Sequence, residues 1–395
     1  MERKVAIINS VYDRGSTGRI CSSLFRFLTA KGFDVKTFYG RNKNRSLGGV
    51  YFGTRLDNII HCLFTRFTDK HGLFSKKRTK KLIRMLESYN PDIYILNNLH
   101  GYYINYELIF NFIKNSNKPI IWIFHDCWNF TGHCAHFDYN KCEKWKTGCY
   151  NCKFKNEYPA AFFDNSKNNF DKKQNLFVGA DVYIVSPSSW LSGLIKQSFF
   201  RNTRCQVIHN GIDLNVFHKK DNPVFRDKYH LHREKLILCV SNKFTEKKGF
   251  RDILSLSSII DDNSKIVLVG KCNSKKKLPK NIIHIPHTNS VDQLVDIYSS
   301  CNVFFNPTYE DNYPTVNLEA AACGLPVICY KTGGAVENVD PNYVVEQGDI
   351  FSAQKLFEKL SNGKSNYNFS SVPSFSETIM MNKYLLLISD LLSKK

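Results

Sequence analysis

Short runs of apolar, largely β-branched residues alternate with helical patterns along almost the whole chain. Residues 5–8, 35–39, 93–96, 120–124 and 182–185 each read as a buried strand. Helical stretches lie between them, among them about 17–31, 80–88 and 191–198. The pattern then restarts, with strands expected at 236–240, 266–269, 282–285, 303–305, 327–329 and 344–345. A polar, charged stretch at about 218–234 separates the two series and reads as part of a linker. Such alternation predicts the α/β class, as two Rossmann-like doubly wound domains facing each other across a cleft. The first is expected over 1–205, with a cysteine-rich insert at about 127–155. The second is expected over 206–375, and a last helix at 376–395 is expected to cross back onto the first.

Length and composition agree with two globular domains: 395 residues, 43% of them apolar and 23% charged. The balance is strongly basic, with a formal charge of +20. Such a field favours nucleic acid, an anionic membrane or phosphorylated ligands, without choosing among them. No signal peptide is visible, and no run reaches the roughly 18 apolar residues of a spanning helix. The expected place is the cytoplasm, with a peripheral position on the membrane's cytoplasmic face. Thirteen cysteines would be reduced there, so a local cluster of them suggests metal.

Acidic residues are concentrated in TYEDNYPTVNLEAAACGLPV, residues 308–327. A strand ends before it, a helix is expected over 315–323, and Gly324 and Pro326 end that helix. Glu310 and Asp311 precede the helix, and Glu319 lies one turn inside it. A helix N-terminus presents unpaired amides and a positive dipole end, which suit a phosphate. Glu319 is one residue too far for a capping box, so dipole complementation explains it less well than contact with a hydroxyl beside that phosphate.

The Asp311-x7-Glu319 spacing, with AAACGLPV and TGG after it, resembles the E-x7-E region of glycosyltransferase family 4, enzymes of the GT-B fold. The resemblance implies that Asp311, with Glu310 beside it, contacts hydroxyls of a donor sugar. It gives the amides of Thr315 and Val316 to the diphosphate and Glu319 to the ribose. VSNKFTEKKGF, residues 240–250, resembles the family's Gly-Arg-x4-Lys-Gly segment. Lys243 then stands where the family has Arg, and Lys248 where it has Lys, both directed at the diphosphate. Lys243 keeps the charge but lacks the bidentate fork. In DRGSTGRI, residues 13–20, Gly15 and Gly18 permit close backbone approach, and the resemblance sets this loop opposite the donor phosphate. The loop is neither a dinucleotide fingerprint nor a Walker A motif.

WIFHDCW, residues 122–128, ends a strand with His125 and Asp126. A histidine bonded to Asp126 in the core is one reading; the resemblance favours His125 near the sugar. His100 and Tyr102, in NNLHGYYIN, are read as lining the acceptor side. Cys134, Cys142, Cys149 and Cys152 form a C-x7-C-x6-C-x2-C run whose closing pair has zinc-knuckle spacing. Structural zinc is expected there, beside the plainer reading of buried thiols, and no cofactor is expected for catalysis.

The resemblance extends over nearly the whole chain, to a bacterial subgroup building exopolysaccharide, capsule or O-antigen. It implies a retaining, metal-independent transfer from a nucleotide-diphosphate sugar to a saccharide or lipid-linked acceptor. The basic run at 76–81 is a candidate dock toward an anionic membrane, and a second lies at 275–280. Two other classes remain: a basic zinc-knuckle protein binding nucleic acid, and another GT-B enzyme such as an epimerase or phosphorylase.

Overall fold

A computed structural model describes residues 2–44, 46–221, 223–272, 277–363 and 367–394. The chain divides into two units: Met1–Ile208 with Met381–Lys395, and His209–Met380.

The strands of the first unit are β1 (Lys4–Asn9), β2 (Asp34–Tyr39), β3 (Gly49–Tyr51), β4 (Ile93–Leu96), β5 (Ile120–Ile123), β6 (Tyr183–Ser186) and β7 (Cys205–Val207). They form one parallel sheet in the order β3-β2-β1-β4-β5-β6-β7. Its central strands β4 and β5 are buried at every residue, which explains their unbroken apolar runs. The edge strands β3 and β7 are short and half-buried, and the apolar pattern did not mark them. The helices are α1 (Gly15–Ala30), α2 (Arg55–Thr68), α3 (Lys76–Tyr89), α4 (Tyr106–Asn115), α5 (Ser166–Phe177) and α6 (Ser189–Gln197).

The second unit contains α7 (Phe225–Lys228), β8 (Lys235–Phe244), α8 (Phe250–Ser257), β9 (Ser264–Cys272), β10 (Ile282–Ile285), α9 (Val291–Ser300), β11 (Val303–Asn306), α10 (Thr315–Ala322), β12 (Val327–Tyr330), β13 (Val344–Val345) and α11 (Ile350–Ser361). Its sheet is also parallel, in the order β10-β9-β8-β11-β12-β13. The stretch 218–234 is not a linker. Phe225 is buried in the core of this unit, and Arg226 donates to the Ser300 carbonyl, the Glu234 carbonyl and Asn302 Oδ1. The last helix, α12 (Glu377–Ser393), runs from the second unit into the first. Its residues Met381, Tyr384, Ile388 and Leu391 recur at helical spacing and are buried.

Candidate active site

In the second unit, β11 ends at Asn306 and α10 begins at Thr315. Pro314 stands just before the helix with an extended backbone and no side-chain cap. Its fixed φ and missing N–H suit the start of a helix. Asn317 fixes α10 against its neighbours. Asn306 donates to Asn317 Oδ1 at 2.8 Å, and Asn317 donates to Asn338 Oδ1 at 2.9 Å. The helix stops at Gly324, whose φ is +75°.

The two adjacent acids of the loop part company. Asp311 accepts from Lys248 Nζ at 2.8 Å, and the same ammonium donates to Thr308 Oγ1 and the Glu310 carbonyl, each at 3.2 Å. Glu310 turns to Lys247 instead, at 2.9 Å, and is buried. Each carboxylate thus has its own lysine partner. Lys247 was missed by the sequence reading; its only signal was its place beside Lys248.

Both lysines sit on the turn after β8, and Gly249 sets how close that turn comes. Its φ is +67°, and a Cβ there would lie 2.2 Å from the Pro307 carbonyl oxygen. Lys243 is placed differently. The residues after Val240 continue β8 past a bulge, so Lys243 is a strand residue opposite Lys271. It is exposed, and the structure does not bring it to the Lys248–Asp311 pair.

Glu319 is buried one turn inside α10. Its carboxylate accepts from Tyr298 at 3.1 Å and from Thr315 at 3.4 Å. Thr315 and Val316, at the helix start, are half-buried. Tyr313 stacks on His209, with ring centroids 4.9 Å apart and planes 10° apart. That histidine's Nε2 lies 3.3 Å from Glu337 Oε2. No sequence signal pointed to Tyr298, His209 or Tyr313.

In the first unit, α1 opens at Gly15, whose φ is +63°, and the Gly18 carbonyl accepts from the Asp13 amide. His125 follows β5, is half-buried, and bonds Asn97 Oδ1 at 2.8 Å. Burial pushes its pKa down to about 4, against the attraction of Asp126. Asp126 belongs to another histidine: it bonds His100 Nε2 at 2.9 Å and accepts from the Trp128 amide. Burial alone would raise the Asp126 carboxyl. The His100 ring and these hydrogen bonds outweigh burial and bring it down to about 2.

His100 Nδ1 reaches Tyr158 at 3.1 Å. Tyr102 lies near this group with φ +65°, edge-on to His71 at 4.5 Å between centroids. His71 in turn accepts from the Gly101 amide. The structure thus brings His100, Tyr102 and His71 together and leaves His125 on the neighbouring Asn97.

All thirteen cysteines are free thiols. Cys134, Cys142, Cys149 and Cys152 line a cavity of about 310 Å³ together with His133. The Gly132 amide donates to Cys149 Sγ at 3.2 Å. Yet no three His, Cys, Asp or Glu side chains among the described residues are arranged to hold a metal ion. The four cysteines share a pocket without forming a ready tetrahedral site. The basic run at 76–81 opens α3, where Lys76, Lys77, Lys80 and Lys81 are exposed. The run at 275–280 begins outside the described residues, at Lys275 and Lys276.

Two parallel-sheet Rossmann-like units of this kind make the GT-B fold. Sucrose-phosphate synthase from Thermosynechococcus elongatus has the same fold, with a TM-score of 0.73, 15% identity and 100% of both chains covered. The sequence matches Glycosyltransferase Family 4 over residues 17–216, just over half of the chain, and Glycosyl transferases group 1 over 221–370. The chain belongs to glycosyltransferase family 4. WcaC of Escherichia coli (strain K12), by its description a colanic acid biosynthesis glycosyl transferase, is 26% identical over 60% of this chain and 60% of its own length. CapM of Staphylococcus aureus, a capsular polysaccharide biosynthesis glycosyltransferase, is 25% identical over 49% of this chain and 55% of its own. The chain thus spans a little over half the length of these relatives.

Proposed function

We propose that this chain is a retaining glycosyltransferase. It moves a sugar from a nucleotide-diphosphate donor to a lipid-linked saccharide acceptor during assembly of a cell-surface polysaccharide. The observation that carries this reading is the gathering of Lys248, Asp311 and the start of α10 at the strand ends of one sheet, with Glu319 one turn inside the helix. Strand ends of a doubly wound sheet are where such folds bind ligands. The polysaccharide assignment draws on what WcaC and CapM are described as doing.

In this reading the Thr315 and Val316 amides hold the diphosphate, and Lys248 stabilises it as negative charge develops on departure. Lys243 serves the same group from its exposed strand. Asp311 and Glu310 take sugar hydroxyls, and Glu319 takes the ribose. Cationic side chains and helix amides supply the positive charge, so no metal is assigned to the transfer. His125 orients the sugar, Gly15 and Gly18 let the α1 loop approach the donor, and His100 and Tyr102 line the acceptor side. Structural zinc in the cysteine pocket is a separate proposal that requires the four sulfurs to draw together. Metal analysis of the purified protein tests it, and a folded, zinc-free protein removes it.

Calorimetric titration with UDP and then GDP tests the donor site. Saturable binding of one nucleotide, weakened in Glu319→Ala, is expected. Binding of neither would remove a uridine or guanosine donor, and equal binding by the variant would remove Glu319 from the site.

A further inference from the structure

A hollow of about 500 Å³ opens on the first unit between α3 and the strands β1, β2 and β3. Four cationic side chains line it: Lys4 from β1, Lys36 from β2, and Lys81 and Arg84 from α3. Asp34 is the one carboxylate of the lining among the described residues. Lys81, Arg84, Met85 and Ser88 recur at helical spacing, so one face of α3 forms a wall. Phe38 and Val50 add an apolar side.

Tyr89 lies in the same lining, buried, and its hydroxyl donates to the Asp34 carbonyl at 2.7 Å. Two ammonium groups stand over this single ring, Lys36 at 4.4 Å and Lys4 at 5.7 Å from its centroid. The ring face attracts each of them. They repel each other, and the two cations of α3 add to that repulsion. Elsewhere on the chain, lysines meet acids: Lys172 meets Glu107, Lys265 meets Glu234 and Lys331 meets Glu346, at 2.7–3.0 Å. Among the described residues, none of the four cations of the hollow is in an ion pair.

We propose that this hollow binds a small, soluble ligand through a di- or triphosphate group. Several like charges gathered without acids are best offset by an anion that carries several charges itself. Lys4 and Lys36 hold it from the sheet, Lys81 from the helix, and the Arg84 fork takes two phosphate oxygens at once. The volume is that of a small-molecule pocket and is too small for a nucleic-acid helix. Lys4 and Asp34 begin their strands, whereas Gly15, Asn97 and His125 follow strand ends. The hollow is therefore separate from the strand ends, where ligands of the reaction gather. The inference stands on the first unit alone and does not depend on which nucleotide the second unit binds.

Calorimetric titration of the purified full chain with tripolyphosphate tests it. Binding is expected, tighter than that of inorganic phosphate. The K36Q/R84Q variant, altered only at exposed positions, should bind tripolyphosphate about tenfold more weakly or worse while keeping its thermal unfolding and its titration with UDP or GDP. The K77Q/K80Q variant removes as much charge from exposed positions of α3 outside the hollow, and should bind as the wild type does. Both variants keep the second unit unaltered, so their difference reads the hollow whatever that unit binds. The proposal is overturned if the wild type does not bind tripolyphosphate, or if K36Q/R84Q binds it as well as the wild type. An equal loss in K77Q/K80Q would assign the binding to the general basic field and also overturn it. So would retention on phosphatidic acid vesicles without binding of free tripolyphosphate, which would make the ligand a lipid headgroup.

Discussion

Lys248 Nζ and Asp311 Oδ2 are 2.8 Å apart, and this contact fastens the turn after β8 to the loop after β11. The same ammonium holds the Glu310 carbonyl and Thr308 Oγ1. Lys248→Met removes the charge and keeps much of the stem. A charged hydrogen bond is worth about 1.5–3 kcal/mol, so affinity for the bound nucleoside diphosphate should fall by about tenfold or more. The pair is partly exposed, so stability should change by less than about 1 kcal/mol. Calorimetry and urea unfolding read the two effects separately. A large loss of stability with intact affinity would make Lys248 a structural residue.

Tyr298 and Glu319 offer a way to separate orientation from contact. Tyr298→Phe removes the phenol that donates to the Glu319 carboxylate but leaves the ring. It should cost about 0.5–1.5 kcal/mol of stability and weaken nucleotide binding less than Glu319→Gln does. Equal losses of affinity in the two variants would mean that the carboxylate acts only through its tyrosine.

Two glycines with nearly the same φ should respond differently to alanine. At Gly15 the space beyond the backbone is open, whereas at Gly249 a Cβ would meet the Pro307 carbonyl. Gly15→Ala should cost about 1–2 kcal/mol, the usual penalty of a left-handed residue. Gly249→Ala adds a backbone collision and should cost ~3 kcal/mol or more. Urea unfolding of the two variants decides, and equal losses would contradict the crowding at Gly249.

Asp126 should leave a signature in acid. Its carboxyl lies lower in the folded chain, at about 2, than the ordinary 3.8. The folded form therefore binds fewer protons between these values. The stability gained is full above about pH 4 and lost as pH falls toward about 2. A shift of that size corresponds to about 2 kcal/mol. Asp126→Asn should be less stable than the wild type by about that much at pH 6, with the gap closing between pH 4 and 2. A gap independent of pH would exclude the His100 pairing as its source.

The central strands and the site loops could be read from the chain because each announces itself locally. A strand buried on both faces must be apolar throughout, as β4 and β5 are. Pro314, the acids around it and Gly324 fall within one short segment, so the start and stop of α10 were readable too. Relations between distant segments were not readable. His125 and Asp126 are neighbours in sequence, yet Asp126 pairs with His100, 26 residues away. Residues 241–244 looked like loop, but backbone pairing with β9 makes them strand and places Lys243 at an exposed position. The direction in which α2 faces was hidden as well. Helical spacing of apolar residues shows a stripe, and only the buried bonds of His61 show that the stripe points outward.

The path of α12 has a consequence for how the protein is made. The second unit is one continuous segment, and the chain reaches and leaves it side by side, where Ile212 pairs with Ser376 and the Gly211 amide meets Met380. The first unit needs both flanks of that segment, including Tyr384 and Ile388 buried near the end. During synthesis, residues 209–380 can fold as soon as they leave the ribosome. The first unit is complete only when α12 has been translated.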